Sequence, residues 1–183
     1  MTVKQQWLVV LAIVALLGGG AFAASHFLKD ELTSVTVGSN APGFIAQTLE
    51  EPGRPKSLTD YRGDVVVLNI WATWCIPCRA EMPSMEALYK DLGPKGLKIV
   101  AISVDDADAG QKIRDFVKEY GITFDVLHDG TGSIQGIYRT TGVPETFVLD
   151  REGMIRKKWI GADDWASEGN RRLLEQLLAQ PKS

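Results

Sequence analysis

Apolar residues along this chain fall into two patterns, unbroken runs and helical stripes, and the two alternate. Val65–Trp71 reads Val-Val-Val-Leu-Asn-Ile-Trp, a β-branched run of the kind buried on both faces of a sheet. Residues 97–104 repeat that pattern. Between them, residues 77–92 have helical spacing, with Pro77 in the first turn, where its missing N–H costs nothing. Pro83 falls inside this helix and predicts a kink. Residues 109–120 predict an amphipathic helix, with Ile113, Phe116 and Val117 on one side and Gly121 at its end. Strands over 145–150 and 154–160 flank Arg151-Glu152-Gly153, a hairpin signal. Residues 170–180 carry a last stripe of Leu173, Leu174, Leu177 and Leu178. Upstream, 44–49 is a weaker strand, followed by a turn at Glu50-Glu51-Pro52-Gly53. This βαβα alternation predicts an α/β sheet with helices on both faces.

The N-terminus departs from that pattern. Lys4 precedes an apolar run from Trp7 to Leu17, then three glycines and Ala21-Phe22-Ala23-Ala24. As a signal peptide it has a basic start, an apolar middle and an Ala-x-Ala site at Ala21–Ala23. As an uncleaved anchor it extends through Phe27-Leu28 to the roughly 20 residues a span needs, with Lys4 staying cytoplasmic. We carry the anchor forward as the expectation: residues 1–28 as a membrane segment, 29–37 as a linker and 38–183 as an exported domain. The 183 residues are 45% apolar and 23% charged, enough for a full core. A formal charge of −3 argues against nucleic acid as a partner. The basic runs Arg156-Lys157-Lys158 and Arg171-Arg172 read as solvated faces.

The candidate chemistry sits where the first buried strand meets its helix. Cys75-Ile76-Pro77-Cys78 holds both of the chain's cysteines. Residues three apart on a helix share a face, so the two sulfurs can close a disulfide, and the pattern reads as a redox pair. Cys75 would stand at the helix N-terminus, where backbone N–H groups stabilise a thiolate. Cys78, one turn in, is suited to resolve a mixed disulfide. A structural zinc wants about four ligands, and beyond the pair the chain offers only His26 and His128. Asp105-Asp106-Ala107-Asp108 reads as the cap of the helix after it. The glycines of 130–136 are off the dinucleotide spacing. Met82 and Met85 read as core, though soft sulfur near two thiols keeps copper(I) as an alternative.

The stretch Asn69 to Pro83, Asn-Ile-Trp-Ala-Thr-Trp-Cys-Ile-Pro-Cys-Arg-Ala-Glu-Met-Pro, resembles the active-site signature of TlpA/ResA-type thioredoxin-fold reductases. Gly142-Val-Pro-Glu-Thr-Phe-Val-Leu-Asp150 resembles their second signature. Gly38-Ser-Asn-Ala-Pro-Gly-Phe and Leu58-Thr-Asp-Tyr-Arg-Gly are similar to their opening elements. The resemblance implies a thioredoxin fold, with a central mixed sheet flanked by helices. It implies a cis Pro144 facing the cysteines, with Val143 offering its backbone to a substrate strand, and Trp74, Pro77 and Glu145 as supporting residues. Thioredoxin itself has a buried Asp where this chain has Asn69, so any base role falls to Glu81 or Glu145. Between the cysteines, Ile76 and Pro77 add no positive charge, which leans toward a reductant. Trp71 and Trp74 read as packing and contact surface, and Arg79 as solvent-facing or a neutraliser of Glu81. The segment before Cys75 lacks the Pro-x-x-x-Thr-x-x-Cys context of a thiol peroxidase. No flavin, nicotinamide or metal motif is present, so no cofactor is expected. Electrons would arrive from an integral-membrane thiol protein. The implied substrates are disulfide-bearing exported proteins, apocytochrome c among them; a general extracytoplasmic reductase and a copper(I) carrier are the alternatives.

Overall fold

The apolar runs become the centre of one sheet. In a computed structural model of the chain, the described residues are 5–7, 13–20 and 35–181. They fall into two units, Met1–Ser34 and Val35–Ser183. In the first, residues 5–7 and 13–20 are helical, with Trp7, Ile13, Val14, Leu16 and Leu17 exposed. No helix among the described residues is long and apolar enough to cross a membrane. The alanines of the cleavage motif, His26, Phe27-Leu28 and most of the expected linker lie outside the described residues.

The second unit holds seven strands: β1 (Ile45–Thr48), β2 (Pro55–Ser57), β3 (Val65–Trp71), β4 (Leu97–Ser103), β5 (Asp125–His128), β6 (Glu145–Leu149) and β7 (Ile155–Ile160). They form one sheet in the order β2-β1-β5-β4-β3-β6-β7. β3 runs parallel to β4 and β4 to β5, whereas β6 is antiparallel to both β3 and β7. Every residue of β3 is buried, as its composition predicts for a strand covered on both sides.

Four helices follow the strands: α1 (Ile76–Leu92), α2 (Gly110–Tyr120), α3 (Ser133–Ile137) and α4 (Glu168–Leu178). α1 runs unbroken past Pro83. Successive right-handed crossovers that step in one direction leave their helices on one face. Accordingly Met82 and Met85 of α1 and Ile113 and Phe116 of α2 share one core with Val65, Val67 and Trp71, and Leu174 and Leu177 of the terminal α4 pack onto the same core. The other face, with Val66, Leu68, Ile70 and Phe147, is closed by Ile134 of α3, Tyr138, Phe44, Tyr61 and Val35. The expectation of helices on both faces thus holds only through short α3.

β2, β5 and α3 carry no apolar run or stripe long enough to read from the sequence. Packing makes them instead. At Gly130, ahead of α3, an added Cβ would stand 2.7 Å from the Ala107 Cα, so only glycine fits that approach.

Candidate active site

The end of β3 and the start of α1 place the cysteines. Cys75 is the N-cap residue of α1, and its sulfur accepts the backbone N–H of Cys78 at 3.2 Å. A disulfide joins Cys75 to Cys78. Cys78 is fully buried and Cys75 retains 4% exposure. Trp74 and Ile76, either side of Cys75, are 62% and 79% exposed, an apolar rim in water beside the less deeply buried of the two cysteines. Pro77 is exposed in the first turn of α1. Across the site, the Val143–Pro144 bond is cis, and the Val143 carbonyl oxygen lies 3.5 Å from the Cys75 sulfur.

Asp105 has a different place from the one its sequence context suggests. α2 begins at Gly110 without a side-chain cap. Asp105 is buried and accepts the Thr73 N–H at 2.8 Å, the Thr73 hydroxyl at 2.5 Å and the Ser103 hydroxyl at 2.7 Å. It therefore braces the loop between β3 and Cys75 rather than capping a helix. His128 meets its carbonyl oxygen at 3.0 Å. Three hydrogen bonds to one carboxylate satisfied more capacity here than an exposed cap could.

Glu81 lies one turn beyond Cys78 and is only 2% exposed. Its Oε1 accepts from the Asn69 amide at 2.9 Å, and Oε2 from the Trp165 ring N–H at 3.1 Å and the Asp163 N–H at 3.4 Å. Burial pushes its carboxyl up to about 7; those hydrogen bonds pull the other way, and the Asp163 charge adds to the rise. A carboxyl poised near neutrality one helical turn from a thiol-bearing residue is of a kind that can take and return a proton. Glu145 is equally buried but on the other face of β6, since residues alternate along a strand. Its Oε1 accepts the Thr141 N–H at 2.6 Å and the Thr141 hydroxyl at 3.0 Å. Lys158 Nζ stands 3.4 Å from Oε2. Glu145 therefore anchors the loop that leads into Pro144.

Several charged residues are spoken for. Arg79 does not meet Glu81: it pairs with Glu119 at 3.6 Å and lies over the Phe116 and Tyr120 rings. The run Arg156-Lys157-Lys158 is not simply solvated either, because Arg156 pairs with Asp150, Lys157 with Asp163 and Lys158 with Glu145. β7 lies next to β6, and its alternating side chains reach acids on both faces. Trp71, Met82 and Met85 are fully buried. Among the described residues, no group of three or more His, Cys, Asp and Glu side chains could hold a metal ion.

A disulfide capping a helix, faced by a cis-proline on a mixed sheet, has relatives. The model of the AhpC/TSA family matches residues 37–158. The chain belongs to this family. Within it, the chain is 37% identical over 156 residues to the thiol-disulfide oxidoreductase ResA of Geobacillus thermodenitrificans, covering 84% of this chain and 87% of that one. It is 35% identical to the thioredoxin-like protein YneN of Bacillus subtilis, covering 86% of this chain and 91% of that one. A Chlorobium tepidum structure described as a thiol:disulfide interchange protein DsbE superposes with a TM-score of 0.66 at 30% identity, covering 79% of this chain and 96% of that one. The chain is thus a thioredoxin-fold thiol–disulfide oxidoreductase of the DsbE/ResA type, acting on disulfide-containing substrates.

Sequence reasoning did not find Asp105 or Trp165 as parts of this family member's site. Trp165 stands alone between β7 and α4 with no motif around it. For Asp105, the signal was its place directly after a buried strand, where a parallel sheet gathers its functional groups.

Proposed function

We propose that this oxidoreductase is an exported, membrane-anchored reductant of protein disulfides, and that its substrate is the CxxCH segment of apocytochrome c before haem attachment. The observation that carries the reading is the Cys75–Cys78 disulfide at the N-terminus of α1, with the Val143 carbonyl 3.5 Å from the Cys75 sulfur. In the reduced protein the Cys75 thiolate attacks one substrate sulfur, forms a mixed disulfide and releases the other substrate sulfur as a thiolate. Glu81 takes the proton from the Cys78 thiol. The Cys78 thiolate then attacks Cys75, releases the second substrate sulfur and closes Cys75–Cys78. The substrate gains two electrons, and an integral-membrane thiol protein re-reduces Cys75–Cys78 by supplying two more, its own dithiol becoming a disulfide.

Two features support the direction. Ile76 and Pro77 put no cation beside the thiolate, and the Glu81 carboxylate, once ionised, disfavours a second anion nearby. Both effects make the dithiol a better reductant. The exposed Trp74 and Ile76, with the Val143 carbonyl turned toward Cys75, suit a short extended segment added as a strand.

The deciding experiment is the reduction potential of the full-length protein equilibrated against dithiothreitol, joined to trapping in cells with Cys78→Ser. A potential below about −230 mV and a trapped apocytochrome c support the reading. A potential near about −120 mV reverses the electron flow. Trapping of many unrelated exported proteins, with no cytochrome, replaces it with a general reductase. Recovery of Cys78→Ser from the soluble fraction overturns the anchor.

A further inference from the structure

The segment between β7 and α4 has no part in the two signatures, yet it covers the acid of the site. Trp165 is fully buried, and its indole N–H, which can only donate, goes to Glu81 Oε2 at 3.1 Å. The Asp163 N–H reaches the same oxygen at 3.4 Å. Ser84, on the next stretch of α1, holds the segment down. Its hydroxyl accepts the Trp165 backbone N–H at 3.1 Å and donates to the Glu81 carbonyl at 2.8 Å. Asp163 is fixed from its far side by Asn170 at 3.0 Å and Lys157 at 3.6 Å.

This arrangement leaves a groove. It is lined by Ala80, Glu81, Ser84, Ala162, Asp163 and Asp164, has a volume of about 410 Å³ and lies open to solvent. Trp74, Val143 and Pro144 are not among its walls, so a substrate chain lying on those residues would not close it. We propose that Trp165 is a positioning residue for Glu81, and that the groove along Ala162–Asp164 is where Glu81 exchanges its proton with water during disulfide exchange. The inference rests on the reading of Glu81 as the group that takes the Cys78 proton. In each turnover the proton passes from the Cys78 thiol to Glu81 and then to a groove water, while the electron pair stays on sulfur.

The surroundings of Glu81 fit such a role. β3 and β6 present only the neutral groups Asn69 and Thr146, joined at 2.8 Å. The charged group facing Glu81 is Asp163, backed by Lys157, whose ammonium also lies over the Trp165 ring. A neutral donor such as the indole favours the carboxylate form, and an acidic neighbour opposes it. Trp165 and Asp163 therefore move the proton affinity of Glu81 in opposite directions.

The test uses the reduced full-length protein and 5,5′-dithiobis(2-nitrobenzoate), following release of the second thionitrobenzoate, the step in which Cys78 attacks, from about pH 5 to pH 9. The wild type should lose rate on the acid side as Glu81 protonates. Glu81→Gln should abolish that limb. Trp165→Phe keeps an aromatic ring, though a smaller one, and removes the donor, and should move the midpoint up by about one pH unit. Asp163→Asn should move it down by a few tenths of a unit. Opposite shifts from two neighbours are not what general loosening of the fold produces. If Trp165→Phe does not fold, Asp163→Asn decides alone: a downward shift supports the inference and an unchanged profile overturns it. If Glu81→Gln loses the limb but Trp165→Phe and Asp163→Asn superimpose on the wild type, the positioning role fails while the Glu81 reading survives. If the limb persists in Glu81→Gln, both fall.

Discussion

Glu81 and Glu145 are both buried carboxylates on neighbouring elements of the site, but they face opposite sides of the sheet and keep different company. Glu145 has a cation within reach, Lys158 at 3.4 Å, and two hydrogen bonds from Thr141. Glu81 is held only by the neutral donors of Asn69, Trp165 and the Asp163 backbone, and its charged neighbour is another acid. Burial is common to both and is the largest cause of the rise at Glu81, so it does not by itself tell the two apart. The partner decides. Glu145 has a cation at hand, whereas the charged neighbour of Glu81 is an acid, a setting that suits the proton-carrying role proposed for Glu81.

The largest effect should come from breaking the compensated side. Glu145→Ala leaves Lys158 and the Thr141 donors without their carboxylate, and should cost about 3 kcal/mol in urea unfolding. The comparison breaks if that variant unfolds no more easily than Glu81→Gln. Next comes the pH dependence of the uncompensated side. The carboxyl of Glu81 rises from 4.5 to about 7 in the folded chain, so folding favours its protonated form. The stability it contributes is complete below about pH 4.5 and is lost as pH rises through about 7, on the order of 2–3 kcal/mol. Unfolding of the wild type at pH 5 and pH 8 should show that loss, and Glu81→Gln should flatten it. A smaller effect is expected at Asp105, which belongs to neither carboxylate. Asp105→Asn weakens the hold on Thr73, and should cost about 1–2 kcal/mol while raising the mobility of Trp74 in fluorescence anisotropy. Smallest of all, Arg79→Ala removes an exposed pair and its ring contacts and should change stability by less than about 1 kcal/mol.

These contrasts also mark what could be read from the chain in advance. The buried strands, the long helix after Cys75, the cis position of Pro144 and the hairpin closing the sheet were legible because each has a local signature: a β-branched run, helical spacing, a motif or a turn. β2, β5 and α3 were not, because they are three to five residues long and are stabilised by neighbours rather than by their own pattern. The acids show the same limit. Asp105 stands where a helix cap would stand, yet two of its three donors come from Thr73, thirty-two positions earlier. Arg156-Lys157-Lys158 has the composition of a solvated face, yet each residue finds an acid across the hairpin or beyond it.

By itself, the sequence determined a redox pair of cysteines at a helix N-terminus after a doubly buried strand, and its motifs carried the family resemblance that implied the fold and the reaction class. Capping, periodicity and turn chemistry act over a few residues, so they survive in a one-dimensional reading. Only the tertiary structure decided which buried acid shares a face with the sulfurs and which donors hold it. Trp165 reaches Glu81 across eighty-four positions of chain. The proton affinity of a buried carboxyl is set by desolvation and by the groups within a few ångströms, and chain folding alone brings those together.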